Sequence, residues 1–289
     1  MISIVTCSVN PFALHSLKKN VRATIGVPYE IIAIDNADSK YGICKAYNEG
    51  AAKAAYPYLC FMHEDISIDT RDWGPLVIRH LSDKNTGLLG IAGGDAKSLI
   101  PSSWSCAMNS NEINIYQHYK NRSEPAEHIV VSSERPAAAK REVVALDGVW
   151  LCTRREIFDQ FQFDEEHFRG FHGYDIDYSL QVGTQYRLYV VFDILIHHFS
   201  EGRPDRSWME SAILVSKKWK HRLPVSIYPS ASCDYAFHHW KSMQIFLQHL
   251  LRLKYDRLTI IRYWFAWSFT RFFSIRRFAS MGKYIWNNI

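Results

Sequence analysis

The run Tyr58-Leu59-Cys60-Phe61-Met62-His63-Glu64-Asp65 decides the fold. Its first five residues are all apolar or aromatic, the pattern of a strand buried on both faces of a parallel sheet. They pass without a break into three residues that can bind protons or cations. Two upstream runs have the same form: residues 2–7 end in Ser8-Val9-Asn10, and residues 29–35 end in Asn36-Ala37-Asp38-Ser39. Helical patterns cover 11–23 and 43–55 between these runs, and a helix over 73–81 and a strand over 87–92 come next. Strands alternating with helices predict an α/β fold, a mostly parallel central sheet flanked by helices. Ligands of such sheets gather outside the carboxyl ends of the strands, which places the three polar segments along one crevice.

Residues 95–142 lose this periodicity in a stretch rich in Ser, Asn, Pro and charge. A stretch so long predicts an insertion or mobile lid between a first half, 1–94, and a second, 143–236. Order resumes with a strand over 143–153, a short helix over 154–161 and a helix over 174–182. A strand over 189–192 then leads to Ile196-His197-His198-Phe199-Ser200, and a helix covers 207–220.

With 47% hydrophobic and 22% charged residues over 289 positions, the chain is neither disordered, fibrous nor a disulfide mini-protein. Six scattered cysteines, Cys7, Cys44, Cys60, Cys106, Cys152 and Cys233, form no CxxC pair and read as reduced thiols in a cytosolic compartment. Met1 leads directly into Ile2-Ser3-Ile4-Val5-Thr6, so no secretory signal is expected. Nor does any apolar stretch reach bilayer-spanning length. Charge is unevenly placed. From Phe237 to Ile289 nine Lys or Arg face one acid, a balance of +8 against −3 for residues 1–236, which marks 237–289 as a basic extension. It also holds 14 of the 41 aromatic residues, interleaved with Arg in the run from Arg262 to Phe273. Interrupted by Arg262 and Arg271, this segment suits a bilayer interface with anionic head groups better than a membrane crossing. We place that reading ahead of helices folded onto the main domain. Binding of single-stranded nucleic acid is not expected, because no nucleic-acid fold accompanies the pattern.

Two acidic clusters stand at element ends. A carboxylate in His63-Glu64-Asp65 can hold a divalent cation through oxygen, although taken alone the cluster is better explained by Asp65 capping a helix after it. In Gly173-Tyr174-Asp175-Ile176-Asp177 two acids separated by one residue diverge at a helix start. One can then face the crevice as a general base while the other caps or pairs structurally. His197 and His198 alternate across a strand, so at most one enters a shared site.

Ile31-Ile32-Ala33-Ile34-Asp35-Asn36, Tyr47-Asn48-Glu49-Gly50 and Phe61-Met62-His63-Glu64-Asp65, in this order, resemble the nucleotide-binding half of GT-A glycosyltransferases of the family-2 type. The run from Asp147 to Phe158, then Phe163-Asp164-Glu165 and Gly173-Tyr174-Asp175-Ile176-Asp177, resembles that family's acceptor half. The likeness spans roughly residues 1–222. It implies a GT-A fold and donor-binding positions at Thr6, Ser8, Asp35, Asn36, Asn48, His63 and Glu64, with Asp35 reading the base. It implies Asp65 and His198 as ligands of a Mg²⁺ or Mn²⁺ ion bridging a diphosphate, with His197 the alternative, and Asp175 as catalytic base. The implied donor is a nucleotide-sugar, a UDP-sugar in preference. The acceptor is a glycan or lipid-linked glycan of bacterial surface-polysaccharide synthesis at the inner face of the plasma membrane. Two positions depart from the family pattern: His63 stands where the first acid of the metal motif sits, and Tyr174 where a Glu precedes the catalytic Asp. A neutral imidazole can still hydrogen-bond a ribose hydroxyl. With one base and no second carboxylate placed as nucleophile, single displacement with inversion is the simpler mechanism. The departures also admit a catalytically inactive binding module, and His63, Asp65, Asp175 and His198 around a water admit a metal-dependent hydrolase.

Overall fold

The computed structural model describes the chain except residues 109, 120–125, 134–138, 201, 203, 229–233 and 289, so Cys233 lies outside the described residues. The first part runs β1 (Ile2–Ser8), α1 (Pro11–Thr24), β2 (Tyr29–Asp35), α2 (Ile43–Lys53), β3 (Tyr58–Met62), β4 (Ile66–Ile68), α3 (Trp73–Leu81), β5 (Thr86–Gly90) and β6 (Ala92–Gly94). The second comprises β7 (Ala96–Lys97), β8 (Asn111–Gln117), β9 (Glu127–Val131), β10 (Lys140–Val143), β11 (Ala145–Leu146), β12 (Trp150–Arg154), α4 (Arg155–Phe158), α5 (Tyr174–Val182), β13 (Arg187–Val191), β14 (Ile196–His198), α6 (Arg206–Lys218) and β15 (Val225–Ser226). Helices α7 (Tyr235–Arg252), α8 (Arg257–Ser268) and α9 (Ile275–Asn288) complete the chain.

The main sheet has the order β10-β13-β5-β12-β3-β1-β2. β1 runs parallel to β2 and β3, while β12 is antiparallel to β3 and β5. Alternation along the strands sends Val5, Phe61 and Leu151 into a core shared with α2 and α5. Ile4, Cys60 and Cys152 enter a second core with α1 and α3 on the other face. Both faces are thus covered, which is why the strands read as unbroken apolar runs. Cys7, Cys44, Cys60 and Cys152 carry free thiols. Arg154 and Arg155, at the end of β12, donate to the carbonyls of Leu81 and Thr86 and of Ala51 and Ala54, closing the C-termini of α3 and α2.

Three sequence expectations are corrected. The loss of periodicity over 95–142, read as an insertion or mobile lid, conceals regular structure: strands β8 and β9 belong to a second sheet of order β11-β6-β8-β14-β4, in which β9 pairs with β8. The single strand expected over 143–153 divides into β10, β11 and β12, because the chain crosses between the two sheets at a turn over Asp147-Gly148-Val149. The segment after Asp65 is the strand β4 rather than a helix.

The extension folds back on the body. Ile100, with Met209 and Ile213 of α6, joins Trp240, Phe246 and Trp267 in a third core, so part of the aromatic content is interior. Other rings stay outside, with Phe269 59% and Trp286 84% exposed. Among the described residues no helix is long and apolar enough to cross a membrane.

α2 rests directly on β1 at Gly50, where an added Cβ would lie 2.3 Å from Val5 Cγ1. Gly50→Ala should therefore cost about 1–2 kcal/mol in urea unfolding, because overpacking outweighs the helix-propensity gain of roughly 1 kcal/mol. A more stable variant would show that this contact does not limit the packing.

Candidate active site

The antiparallel register of β4 and β14 sets Ile66 opposite His198, so the residue before β4 meets the end of β14. His63 leaves β3 two residues earlier, and its own backbone N–H donates to Val149 O. His63, Asp65 and His198 consequently face one another, with one ligand atom from each within 4.8 Å of the others. His63 Nδ1 and His198 Nε2 each stand 3.9 Å from Asp65 Oδ1. Ser200 Oγ donates to Asp65 Oδ2 at 2.6 Å. Burial opposes ionisation of Asp65, but this hydroxyl and the two imidazoles outweigh it and hold the carboxyl below its usual range. Desolvation lowers the pKa of His63, which favours the neutral, ligating form of the imidazole. Two imidazoles and a carboxylate are a donor set that suits a divalent transition metal. His197, on the opposite face of β14, stacks on Tyr116 and bonds His118.

Asp175 lines the same cleft from the first turn of α5, partly exposed, and its Oδ2 accepts the N–H of Gly148 at 3.2 Å. Desolvation, followed by the nearby Asp147 charge, pushes its carboxyl up to about 7. Asp177 points away into a buried cluster with Lys218, Trp219 and Gln181, the division of roles expected of this pair. Gly148 also accepts from Tyr174 OH at 3.0 Å, and Tyr174 OH lies 2.9 Å from His63 Nε2. An added Cβ on Gly148 would sit 2.1 Å from that hydroxyl, so only glycine fits beneath the ring. Asp147, which sequence reasoning left without a role, accepts from Trp104 Nε1 at 2.7 Å and from Val149 N at 2.9 Å. Its signal in the sequence is weak, an acid beside a glycine inside an apolar run.

These groups line a cleft of about 990 Å³, the upper end of small-molecule sites. Among its described lining residues are the carboxylates of Glu64, Asp65, Asp147, Asp175 and Asp205 but a single guanidinium, that of Arg169. These described carboxylates repel an anionic ligand, and a bound cation would offset that repulsion.

Several donor-binding expectations move to supporting positions. Thr6 is fully buried in β1. The Ser8 hydroxyl donates to Glu64, whose other oxygen accepts the N–H groups of Val9 and Asn10, so Glu64 braces the β1–α1 turn with both oxygens taken. Asn48 is held by the backbone of Phe163 and by Glu165. Asn36 lines the cleft, but its amide staples the backbone of Tyr41. Asp35 is exposed at the end of β2, where one oxygen accepts from Ala37 N.

Residues 3–217 match the model of the glycosyltransferase like family, and the chain belongs to that family. Its fold is GT-A: the crystal structure of GalNAc-T7 with UDP, GalNAc and Mn²⁺ superposes with a TM-score of 0.52 at 12% identity. The match covers 76% of this chain but 48% of that one, so the chain spans about half the length of this relative. S. aureus TarS 1–349 gives a TM-score of 0.49 at 12% identity, over 88% of this chain and 72% of that one. No curated protein matches the sequence.

If Asp175 must be ionised to act, turnover should rise with pH and level off above about 7. Asp147→Asn removes the like charge that helps raise Asp175, so the rising limb of the pH–rate profile should move to lower pH. An unmoved limb would detach the two carboxyls from one another.

Proposed function

We propose that this chain transfers a sugar from a nucleotide-sugar, a UDP-sugar in preference, to a hydroxyl of a glycan or lipid-linked glycan, with inversion at the anomeric carbon. The observation that carries the reading is the convergence of His63, Asp65 and His198 in a cleft that Asp175 also lines. His63, Asp65 and His198 would hold Mn²⁺ or Mg²⁺. When bound, the ion supplies charge neutralisation for the diphosphate and its departure as a leaving group. The binding of UDP and Mn²⁺ by GalNAc-T7 supports the same chemistry here. Asp175 accepts the proton of the incoming hydroxyl, and its raised pKa makes it the stronger base. The Gly148 N–H fixes the carboxylate through Oδ2. Trp104, tied to Asp147, forms part of the wall beside it.

The acceptor belongs, in this reading, to bacterial surface-polysaccharide assembly at the inner face of the plasma membrane. The exposed rings Phe265, Phe269, Phe273 and Trp286, set among Arg262, Arg271 and Arg276, support contact with an anionic bilayer.

In an assay of UDP release from a UDP-sugar with a glycan acceptor panel, Asp175→Asn should lower turnover by about 100-fold or more while UDP affinity changes little. Lost UDP binding in that variant would instead place Asp175 in the donor site. For the extension, Arg271→Glu/Arg276→Glu should reduce sedimentation with phosphatidylserine-containing vesicles by roughly tenfold or more, at about 1 kcal/mol per cation. Undiminished sedimentation would remove these arginines from any membrane contact.

A further inference from the structure

His63 and Tyr174 are the two positions at which the chain departs from the family pattern, and they touch. Their hydrogen bond joins residues 111 apart in sequence, His63 Nε2 to Tyr174 OH at 2.9 Å. The tyrosine hydroxyl has one proton, which it donates to Gly148 O at 3.0 Å. It can therefore only accept from the imidazole, so Nε2 carries the proton of neutral His63. Nδ1, the nitrogen directed at Asp65, is left with its lone pair free.

His198 is placed differently. Gln117 Nε2 donates to the carbonyls of His118 and Ser200, which fixes the amide and leaves Oε1 facing His198 Nδ1 at 3.3 Å. Ser200 Oγ, whose proton goes to Asp65, lies 3.2 Å from His198 Nε2, so each ring nitrogen faces an acceptor and these contacts fix no tautomer. Of the two imidazoles, His63 alone has its tautomer set by a partner outside the cluster.

We propose that Tyr174 is a positioning residue that locks the tautomer of His63, so that Nδ1 faces Asp65 as a metal ligand. This rests on the metal-binding reading above. The consequence is a change in metal chemistry. Replacing carboxylate by imidazole softens the site, which then favours Mn²⁺ and later transition metals over Mg²⁺, an ion that prefers oxygen donors. The two departures are one paired exchange: the imidazole needs an acceptor on its far side, and the tyrosine hydroxyl supplies it.

The test uses the full chain and metal alone. In the metal-free protein, long-range ¹H–¹⁵N spectra should show His63 protonated at Nε2, a readout that needs no variant. By calorimetry, Tyr174→Phe should weaken Mn²⁺ binding by about 10–100-fold, the range typical when a ligand's orienting partner is lost. His63→Asp should move the ratio of Mn²⁺ to Mg²⁺ affinity toward Mg²⁺ by roughly tenfold or more. The opposite tautomer, wild-type Mn²⁺ affinity in Tyr174→Phe, or an unchanged metal ratio in His63→Asp would overturn the positioning role. Asp65→Ala separates the two levels. If it loses Mn²⁺ binding while the other variants do not, only the tautomer lock fails; if it binds Mn²⁺ as the wild type does, the metal site itself is wrong.

Discussion

Asp175, Tyr174 and His63 all hang on Gly148. Its N–H holds Asp175 and its carbonyl holds Tyr174, whose hydroxyl in turn meets His63. Val149, the next residue, takes the backbone N–H of His63 on its carbonyl. The turn that carries them is closed by Asp147 accepting from Val149 N, and it forms because the chain passes from the second sheet back to the main one. One glycine in a sheet-crossing turn therefore sets Asp175 and His63 relative to each other. A side chain there would collide with Tyr174 and move both.

Legibility differed by element for identifiable reasons. β1, β2 and β3 are readable because both faces of the main sheet are covered, which forces apolar runs. β8 is not, since Glu112 and Asn114 are buried in it and find partners far along the chain, Asn114 in the carbonyls of Phe192 and Ile194 and Glu112 Oε1 in Ser133 N. Such polar strand residues are indistinguishable from a loop until their partners are known. The division at Asp147-Gly148-Val149 was hidden because apolar residues continue on both sides of it.

The site was legible in part. Asp65, Asp175 and the choice of His198 over His197 came from motif order and strand alternation, and the structure sets these side chains in one cleft. Glu64, Ser8 and Asn48 look like ligand-binding residues in one dimension because they are polar and sit at element ends. Folding assigns them to bracing turns, where their hydrogen bonds are met by the protein itself. The His63–Tyr174 contact, by contrast, could not be read from either residue alone. The same two departures that suggested an inactive module are, in three dimensions, a matched donor and acceptor. In the extension, periodicity does not tell buried Trp240 and Trp267 from exposed Phe269 and Trp286, because core and interface both favour aromatic residues.

The central claim is that an acidic cleft admits a nucleotide diphosphate only together with a divalent cation. Calorimetric titration of the purified chain with UDP-, GDP-, CMP- and dTDP-sugars, first with Mn²⁺ and then with EDTA, tests it most directly. The account predicts that one donor, a UDP-sugar, binds with Mn²⁺ and loses that binding in EDTA. Equal binding in EDTA, or no binding to any donor with Mn²⁺ present, would contradict it.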